Sequence, residues 1–239
     1  YLNLRYNRIV YIPNSICELK KLERLYIRNN SITNLPPMID KLENLITLDM
    51  ETNKLGKIPK TLFQMKSLQY LYLKNNLITT LPQITRLNSS LYCLYLGNNK
   101  LKQLPKSLYL LESLNILDLE SNMFVKFPKQ LCELKDLFSL FLENNKISKI
   151  PDEICNMNLN ALYLNNNKLY KLPDTICDID TLEHLYLENN NLRKLPDMIT
   201  NMETLRFLNV QNNYIKQIPK KDRFKNLVFL YHDVNTQVV

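Results

Sequence analysis

Leu68-Gln69-Tyr70-Leu71-Tyr72-Leu73-Lys74-Asn75-Asn76, followed by Ile78 and by Leu81-Pro82, is the stretch that decides the fold. The same arrangement recurs along the chain, and one asparagine is the fixed point of each copy. These are Asn7, Asn30, Asn53, Asn76, Asn99, Asn122, Asn145, Asn167, Asn190, Asn213 and Asn235. They are spaced by 23 residues as far as Asn145 and by 22, 23, 23 and 22 thereafter. Self-similarity at that period predicts a stack of like coils, each hiding its apolar side chains against its neighbours.

The asparagine has a physical job. In the fourth copy Leu68, Leu71 and Leu73 precede Asn76, and Ile78 and Leu81 follow it. A polar side chain held among inward leucines is buried, and a buried amide must be hydrogen-bonded. Asparagine carries two donors and an acceptor on a short stem, which suits it to backbone groups where the chain leaves a strand. In register, the eleven are expected to form a ladder that ties each coil to the next.

The pattern Leu-x-x-Leu-x-Leu-x-x-Asn-x-Ile/Leu, then x-x-Leu-Pro-x-x-Ile-x-x-Leu, resembles the leucine-rich repeat. The longer form, with Leu35-Pro36 followed by Ile39 and Leu42, is similar to the intracellular class of that family. This class includes plant Ras-group repeat proteins, the Ras–Raf scaffold Shoc and the LAP scaffolds of cell polarity. The resemblance covers Tyr1 to about Asn235. It implies an α/β leucine-rich-repeat solenoid with a curved parallel β-sheet on its concave face. As partner it implies a small GTPase or a phosphatase/kinase complex.

Each copy divides into three parts. The Leu-x-x-Leu-x-Leu part alternates apolar and polar residues with the period of a short strand. Full coils connect the copies, so neighbouring strands run parallel. The return segment opens with Leu/Ile-Pro, as in Ile12-Pro13, Leu104-Pro105 and Ile218-Pro219. Proline suits a first helical position, where its missing N–H would be unbonded anyway. One or two helical turns, partly 3₁₀, are expected there. Two copies depart from the rule in this segment. The fourth has Ile84 and Leu87 one place early, with Asn88-Ser89-Ser90 restoring register, and the seventh is a residue short at Asn156-Met157-Asn158-Leu159.

Residues 1–239 are read as one repeat domain of about ten copies. The first copy is truncated, because Tyr1-Leu2-Asn3-Leu4 matches Tyr70-Leu71-Tyr72-Leu73, so the chain reads as part of a longer one. Residues 220–239 read as a degenerate capping coil, in which Lys220-Lys221-Asp222-Arg223 replaces the apolar pattern. His232 belongs to that cap. There is no unbroken apolar run long enough to span a membrane. Five cysteines lack the paired spacing of flanking caps, and Cys17, Cys132, Cys155 and Cys177 each follow a buried Ile or Leu. Buried free thiols behave as small hydrophobes and fit a reducing, intracellular and cytoplasmic setting.

The residues between the second and third leucines project from the exposed sheet face. They read Asn3, Tyr26, Asp49, Tyr72, Tyr95, Asp118, Phe141, Tyr163, Tyr186, Asn209 and Tyr231. Tyrosines in such a place suit recognition, offering area and a hydroxyl at low entropic cost, and they also stack as cross-strand pairs. The next column out is Arg5, Arg28, Glu51, Lys74, Gly97, Glu120, Glu143, Asn165, Glu188, Gln211 and Asp233. It runs from basic to acidic, with a gap at Gly97. The net charge of +8 is divided in the same way: 16 basic against 9 acidic residues over 1–120, and 15 against 14 over 121–239. A partner of opposite polarity is expected, its acidic region facing Arg28 and Lys74. The partner-binding face is therefore read as Tyr26, Arg28, Tyr72, Lys74, Tyr95, Glu120, Phe141, Glu143, Tyr163, Tyr186 and Glu188.

A second basic row beside the prolines, including Lys57, Lys102, Lys126, Lys149, Lys171 and Lys216, is read as solubilising. The competing reading of that row is contact with anionic lipid or a phosphate backbone. The sequence offers no constellation for catalysis. Two histidines, His184 and His232, cannot assemble a triad, and two glycines make no phosphate-cradling loop. Adjacent acids such as Glu120 and Glu143 recur by repeat symmetry on an open face. The chain is thus expected to be a non-catalytic scaffold that binds a folded protein partner through its concave face, with no cofactor, no metal, no small-molecule substrate and no nucleic acid. The alternative is the recognition domain of a larger signalling enzyme.

Overall fold

The computed structural model describes residues 1–239 in two compact units, Tyr1–Met123 and Phe124–Val239. The first unit holds strands β1 (Leu2–Asn3), β2 (Arg24–Tyr26), β3 (Thr47–Asp49), β4 (Tyr70–Tyr72), β5 (Cys93–Tyr95) and β6 (Ile116–Asp118). The second holds β7 (Ser139–Phe141), β8 (Ala161–Tyr163), β9 (His184–Tyr186), β10 (Phe207–Asn209), β11 (Gln217–Ile218), β12 (Phe229–Tyr231) and β13 (Gln237–Val238). Within each unit the coil strands pair in parallel and in chain order. Leu25, Leu48, Leu71, Leu94 and Leu117 lie opposite one another in the first unit. Leu140, Leu162, Leu185, Leu208 and Leu230 do so in the second. All but Leu230 are fully buried. Because side chains alternate across a strand, the residues on either side of each leucine project from the opposite, open face.

The return segments are shorter than a helical pattern would allow. Nine 3₁₀ turns of three to five residues form, such as Asn14–Glu18, Lys60–Gln64 and Asp174–Asp178, and no α-helix does. In seven of them a proline stands immediately before the turn, at Pro13, Pro59, Pro105, Pro128, Pro151, Pro173 and Pro196. Its carbonyl accepts the N–H three residues on, as Pro59 does from Leu62 at 3.1 Å and Pro173 from Ile176 at 3.2 Å. The turn has to deliver one inward Ile or Leu, and an i to i+3 bond is enough for that. A segment this short gains nothing from α-helical nucleation.

The ladder of asparagines has a repeating geometry. The Asn76 side-chain oxygen accepts the N–H of Leu55 in the preceding coil at 3.0 Å. Its Nδ2 donates to Met50 of that coil at 3.0 Å and to Leu73 and Lys74 of its own coil at 3.1 and 3.2 Å. Asn30, Asn53, Asn99, Asn122, Asn167, Asn190 and Asn213 repeat this arrangement. Asn145 likewise accepts from Phe124 and donates to Leu142 and Glu143. Asn7 is exposed and donates only within its own coil, to Leu4 and Arg5. Asn235 does not continue the series. It is exposed, and the inward place 23 residues after Asn213 belongs to Thr236, whose hydroxyl donates to the Ile215 carbonyl at 3.2 Å. The strands there are offset by 22 residues, so the shift to Thr236 arises after β12 and not from the strand register.

The residue before each ladder asparagine adopts a left-handed backbone, with φ between 50° and 58° from Tyr6 to Asn212. Asparagine tolerates that region, which accounts for the Asn-Asn pairs at 29–30, 75–76, 98–99, 144–145, 166–167, 189–190 and 212–213. Thr52 is β-branched and occupies the same conformation at a cost.

The fourth return segment folds differently from expectation. Ile84 is buried, but Leu87 is 58% exposed and no 3₁₀ turn forms there. Asn88 takes the inward place instead. Its Nδ2 donates to Phe63 at 3.1 Å, and its oxygen accepts the N–H of Ser90 at 3.0 Å and of Leu91 at 2.9 Å. The displaced leucine follows from register, since one residue fewer before the turn rotates Leu87 outward.

Two measurements check this account. Asn99→Leu strands the Ile78 N–H in an apolar interior, at about 1–3 kcal/mol, while the Leu73 carbonyl keeps its bond from Asn76. Urea unfolding should then show a loss of about 1–3 kcal/mol. Thr52→Asn relieves left-handed strain and should raise stability by about 1 kcal/mol.

Candidate functional site

The open face of the first unit is dominated by ion pairs that reach across coils. Arg5 passes over Tyr26, its guanidinium carbon 4.1 Å from the ring centroid, and donates through Nη2 to Asp49 Oδ2 at 2.6 Å. Lys74 makes the same two-coil reach, with Nζ 2.7 Å from Asp118 Oδ2 and 3.1 Å from Glu120 Oε1. Arg28 pairs with Glu51 at 3.0 Å. Asp49 and Asp118 are almost completely buried, and each also accepts a backbone N–H two residues on, from Glu51 and Glu120. They finish the strand while anchoring the cation.

Gly97 lies under the Lys74 reach. A Cβ there would stand 2.8 Å from Lys74 Cε and 2.8 Å from Glu120 Cγ, and 3.0 Å from Asp118 Oδ1. The apparent gap in the charged column is filled by the lysine stem, and glycine is needed for close approach. Arg28 and Lys74, expected from sequence to face an acidic partner, are instead neutralised within the chain. Repeat spacing alone does not reveal this, because the acceptors of Lys74 lie 44 and 46 residues away.

Burial pushes the Asp118 carboxyl above the ordinary range, although Lys74 opposes the shift. Burial works against the Lys74 ammonium, yet Asp118 and Glu120 outweigh it and raise that group. Tyr95 is pushed up to about 12 by burial, and burial raises Tyr72 and Tyr163 as well. These phenols stay protonated at neutral pH and can both donate and accept.

The aromatic column breaks into separate stacks. Tyr1 and Tyr26 meet at 5.4 Å, and Tyr72 lies on Tyr95 at 4.9 Å with the rings within 5° of parallel. In the second unit Phe141, Tyr163 and Tyr186 form one pile, with centroids 4.4 and 4.5 Å apart and planes 10° apart. Asn209 interrupts this column, but Phe207, two residues earlier on the same face, fills in at 4.5 Å from Tyr186. Phe207 in turn meets Tyr231 at 5.4 Å and Phe229 at 6.2 Å. Six rings from five successive coils thus form a continuous apolar band. Phe207, Phe229 and Tyr70 belong to a column absent from the sequence reading. The two-residue strand period was the available signal for it.

Glu188 accepts from the Asn209 amide on the same face, and the Asn209 oxygen caps the Gln211 N–H at 3.1 Å. Glu120 accepts from Lys74, and Glu143 lies half-buried two residues beyond Phe141. His184 is half-buried on the open face 6.2 Å from Phe207, and His232 Nδ1 lies 2.9 Å from the Asp233 carbonyl. Beside the prolines of the second unit is a groove of about 580 Å³ lined by Lys126, Lys149, Asp152, Glu153 and Tyr170, among others. Lys129 pairs with Glu153 there at 2.8 Å, so both signs of charge line the groove. All five cysteines are free thiols, and burial pushes Cys132 and Cys177 up to about 11. No helix is long and apolar enough to cross a membrane.

Three family models match the chain. A leucine-rich repeat region matches residues 1–89, and leucine-rich repeat models match residues 136–157 and 157–215. No curated protein sequence matches. Among solved structures, a leucine-rich repeat protein of Leptospira interrogans is 27% identical with a TM-score of 0.62, over 96% of this chain and 72% of that one. The Arabidopsis receptor kinase HAESA, solved with the peptide hormone IDA and the co-receptor SERK1, is 28% identical with a TM-score of 0.72 over 86% of this chain. This chain spans 36% of the HAESA chain. The leucine-rich repeat domain of the type III effector XopL shares the fold at 22% identity and a TM-score of 0.75, over 82% of this chain and 71% of that one.

The Lys74 clamp generates a testable pH dependence. A folded-state carboxyl raised above its unfolded value favours the fold below the unfolded pKa and loses that contribution as pH rises through the folded pKa. The stability of wild type relative to Asp118→Asn, followed by thermal melting, should therefore fall as pH climbs through and just above the ordinary carboxylate range. Gly97→Ala should expel the Lys74 side chain and cost about 1–3 kcal/mol.

Proposed function

The chain belongs to the leucine-rich repeat proteins, and we propose that it is a non-catalytic scaffold that captures a protein partner on the open face of its strands. Leucine-rich repeats commonly serve as protein-interaction modules. One observation carries the reading for this chain: the band from Phe141 through Tyr163, Tyr186 and Phe207 to Phe229 and Tyr231. Phe229 and Tyr231 are 52% and 41% exposed, and the other four rings are half-buried. A contiguous exposed apolar patch is costly to leave in water and marks an interaction site. Rigid aromatics of this kind supply most of the binding energy where they occur in interfaces.

Stacking does stabilise the sheet, at about 0.5–1.5 kcal/mol per pair. The sheet is already held by the buried leucines and the asparagine ladder. The ion pairs of the first unit turn its charges inward, so its tyrosines contribute less to capture than those of the second. The likeness of the repeat to Ras-group and LAP scaffolds supports a small GTPase or a phosphatase/kinase complex as partner. Five free cysteines support a reducing, intracellular setting.

The test is affinity capture with Tyr163→Ala/Tyr186→Ala beside wild type. Tyr109→Ala/Tyr214→Ala serves as a control on exposed tyrosines away from the band. A partner kept by wild type and the control but lost by the first variant, with all three melting cooperatively, is the expected result. Equal retention by all three would remove the band from the function.

A further inference from the structure

In the first unit every carboxylate named on the open face has a cation supplied by the chain: Asp49 has Arg5, Glu51 has Arg28, and Asp118 and Glu120 share Lys74. The second unit repeats the aromatic and acidic columns, and in it Glu188 has an amide for partner where the first unit has a cation. Its aromatic column is Phe141, Tyr163, Tyr186, Asn209 and Tyr231, and the column beside it is Glu143, Asn165, Glu188, Gln211 and Asp233. Neither contains a lysine or arginine. Arg206, just before β10, is engaged by Glu183 at 3.2 Å. Glu188 meets only the neutral amide of Asn209. Arg5 shows what such a surface accepts, with its guanidinium over a tyrosine ring and its N–H groups on a carboxylate. The energetic logic is general, since guanidinium combines planar stacking on aromatics with charge-assisted hydrogen bonds.

We infer that the open face of the second unit takes an arginine-bearing, extended segment of the protein partner, with the guanidinium on Glu188 and the aliphatic stem against Tyr186 and Tyr163. This rests on the capture function proposed above and reverses the polarity expected from sequence, where an acidic region was to meet Arg28 and Lys74. The apolar remainder of the segment lies on Phe207 and Phe229. The Glu188 carboxylate faces the partner as an acceptor, which selects against an acidic segment by repulsion as well as for a basic one by attraction.

The experiment is selection of a phage-displayed random dodecapeptide library on the full chain, with the enriched peptides then measured by fluorescence anisotropy. Enriched sequences should carry arginine above the library background. Replacing that arginine by alanine, or Glu188 by Gln in the protein, should each weaken binding about tenfold, and the combined change should add little. Glu188→Gln keeps an acceptor for Asn209, so its melting temperature serves as the folding control. Peptides that need Tyr163 and Tyr186 but ignore Glu188→Gln, or that are acidic, overturn the inference and leave the capture face standing. Peptides that survive Tyr163→Ala/Tyr186→Ala, or a selection that enriches nothing, overturn both.

Discussion

A single buried amide per coil holds this architecture together. Asn76 and its like accept one backbone N–H from the coil before and donate to carbonyls of both coils, so their bonds tie one coil to the next. The leucines supply the driving force, but they are interchangeable in direction and would permit many stackings. The amide is not interchangeable, because an unbonded polar group in that interior costs about as much as a leucine contributes. The 23-residue pitch is therefore a hydrogen-bonding constraint first and a packing pattern second. The left-handed residue before each amide is part of the same constraint, since it turns the chain off the strand and aims the side chain inward.

Periodicity made the fold readable. About ten copies placed the strands, the inward leucines and the proline turns, because each depends on neighbours one coil away at fixed offsets. Reading failed where the physics spans more than one coil or less than one copy. The Lys74 clamp skips a coil and needs the empty volume of Gly97, and nothing in a column of single residues announces that reach. Leu87 was read as inward because its type fits, whereas the shortened return rotates it into solvent and turns Asn88 in. Asn235 was read as a rung by identity, while Thr236 holds the position. The aromatic band was half visible. One column declared it, and the second column, with Phe207 and Phe229, required applying the strand period once more.

The two units use one surface design in two ways. Toward the amino end, charges fold onto one another and tyrosines serve partly as platforms for the chain's own cations. Toward the carboxyl end, rings join across coils and Glu188 stands beside them on a neutral amide. Net charge accordingly misleads as a guide to the open face. Much of the basic excess lies beside the prolines, and Arg5, Arg28 and Lys74 of the first unit are already engaged.

Asn88-Ser89-Ser90 also spells the acceptor signal for N-linked sugar. The nitrogen that a glycan would occupy is the one donating to the Phe63 and Met65 carbonyls, in a side chain only 6% exposed. A carbohydrate attached there would take one of those hydrogens and could not be enclosed in the space that the side chain fills. Completion of the fourth coil and glycosylation at this position therefore exclude each other on any one molecule.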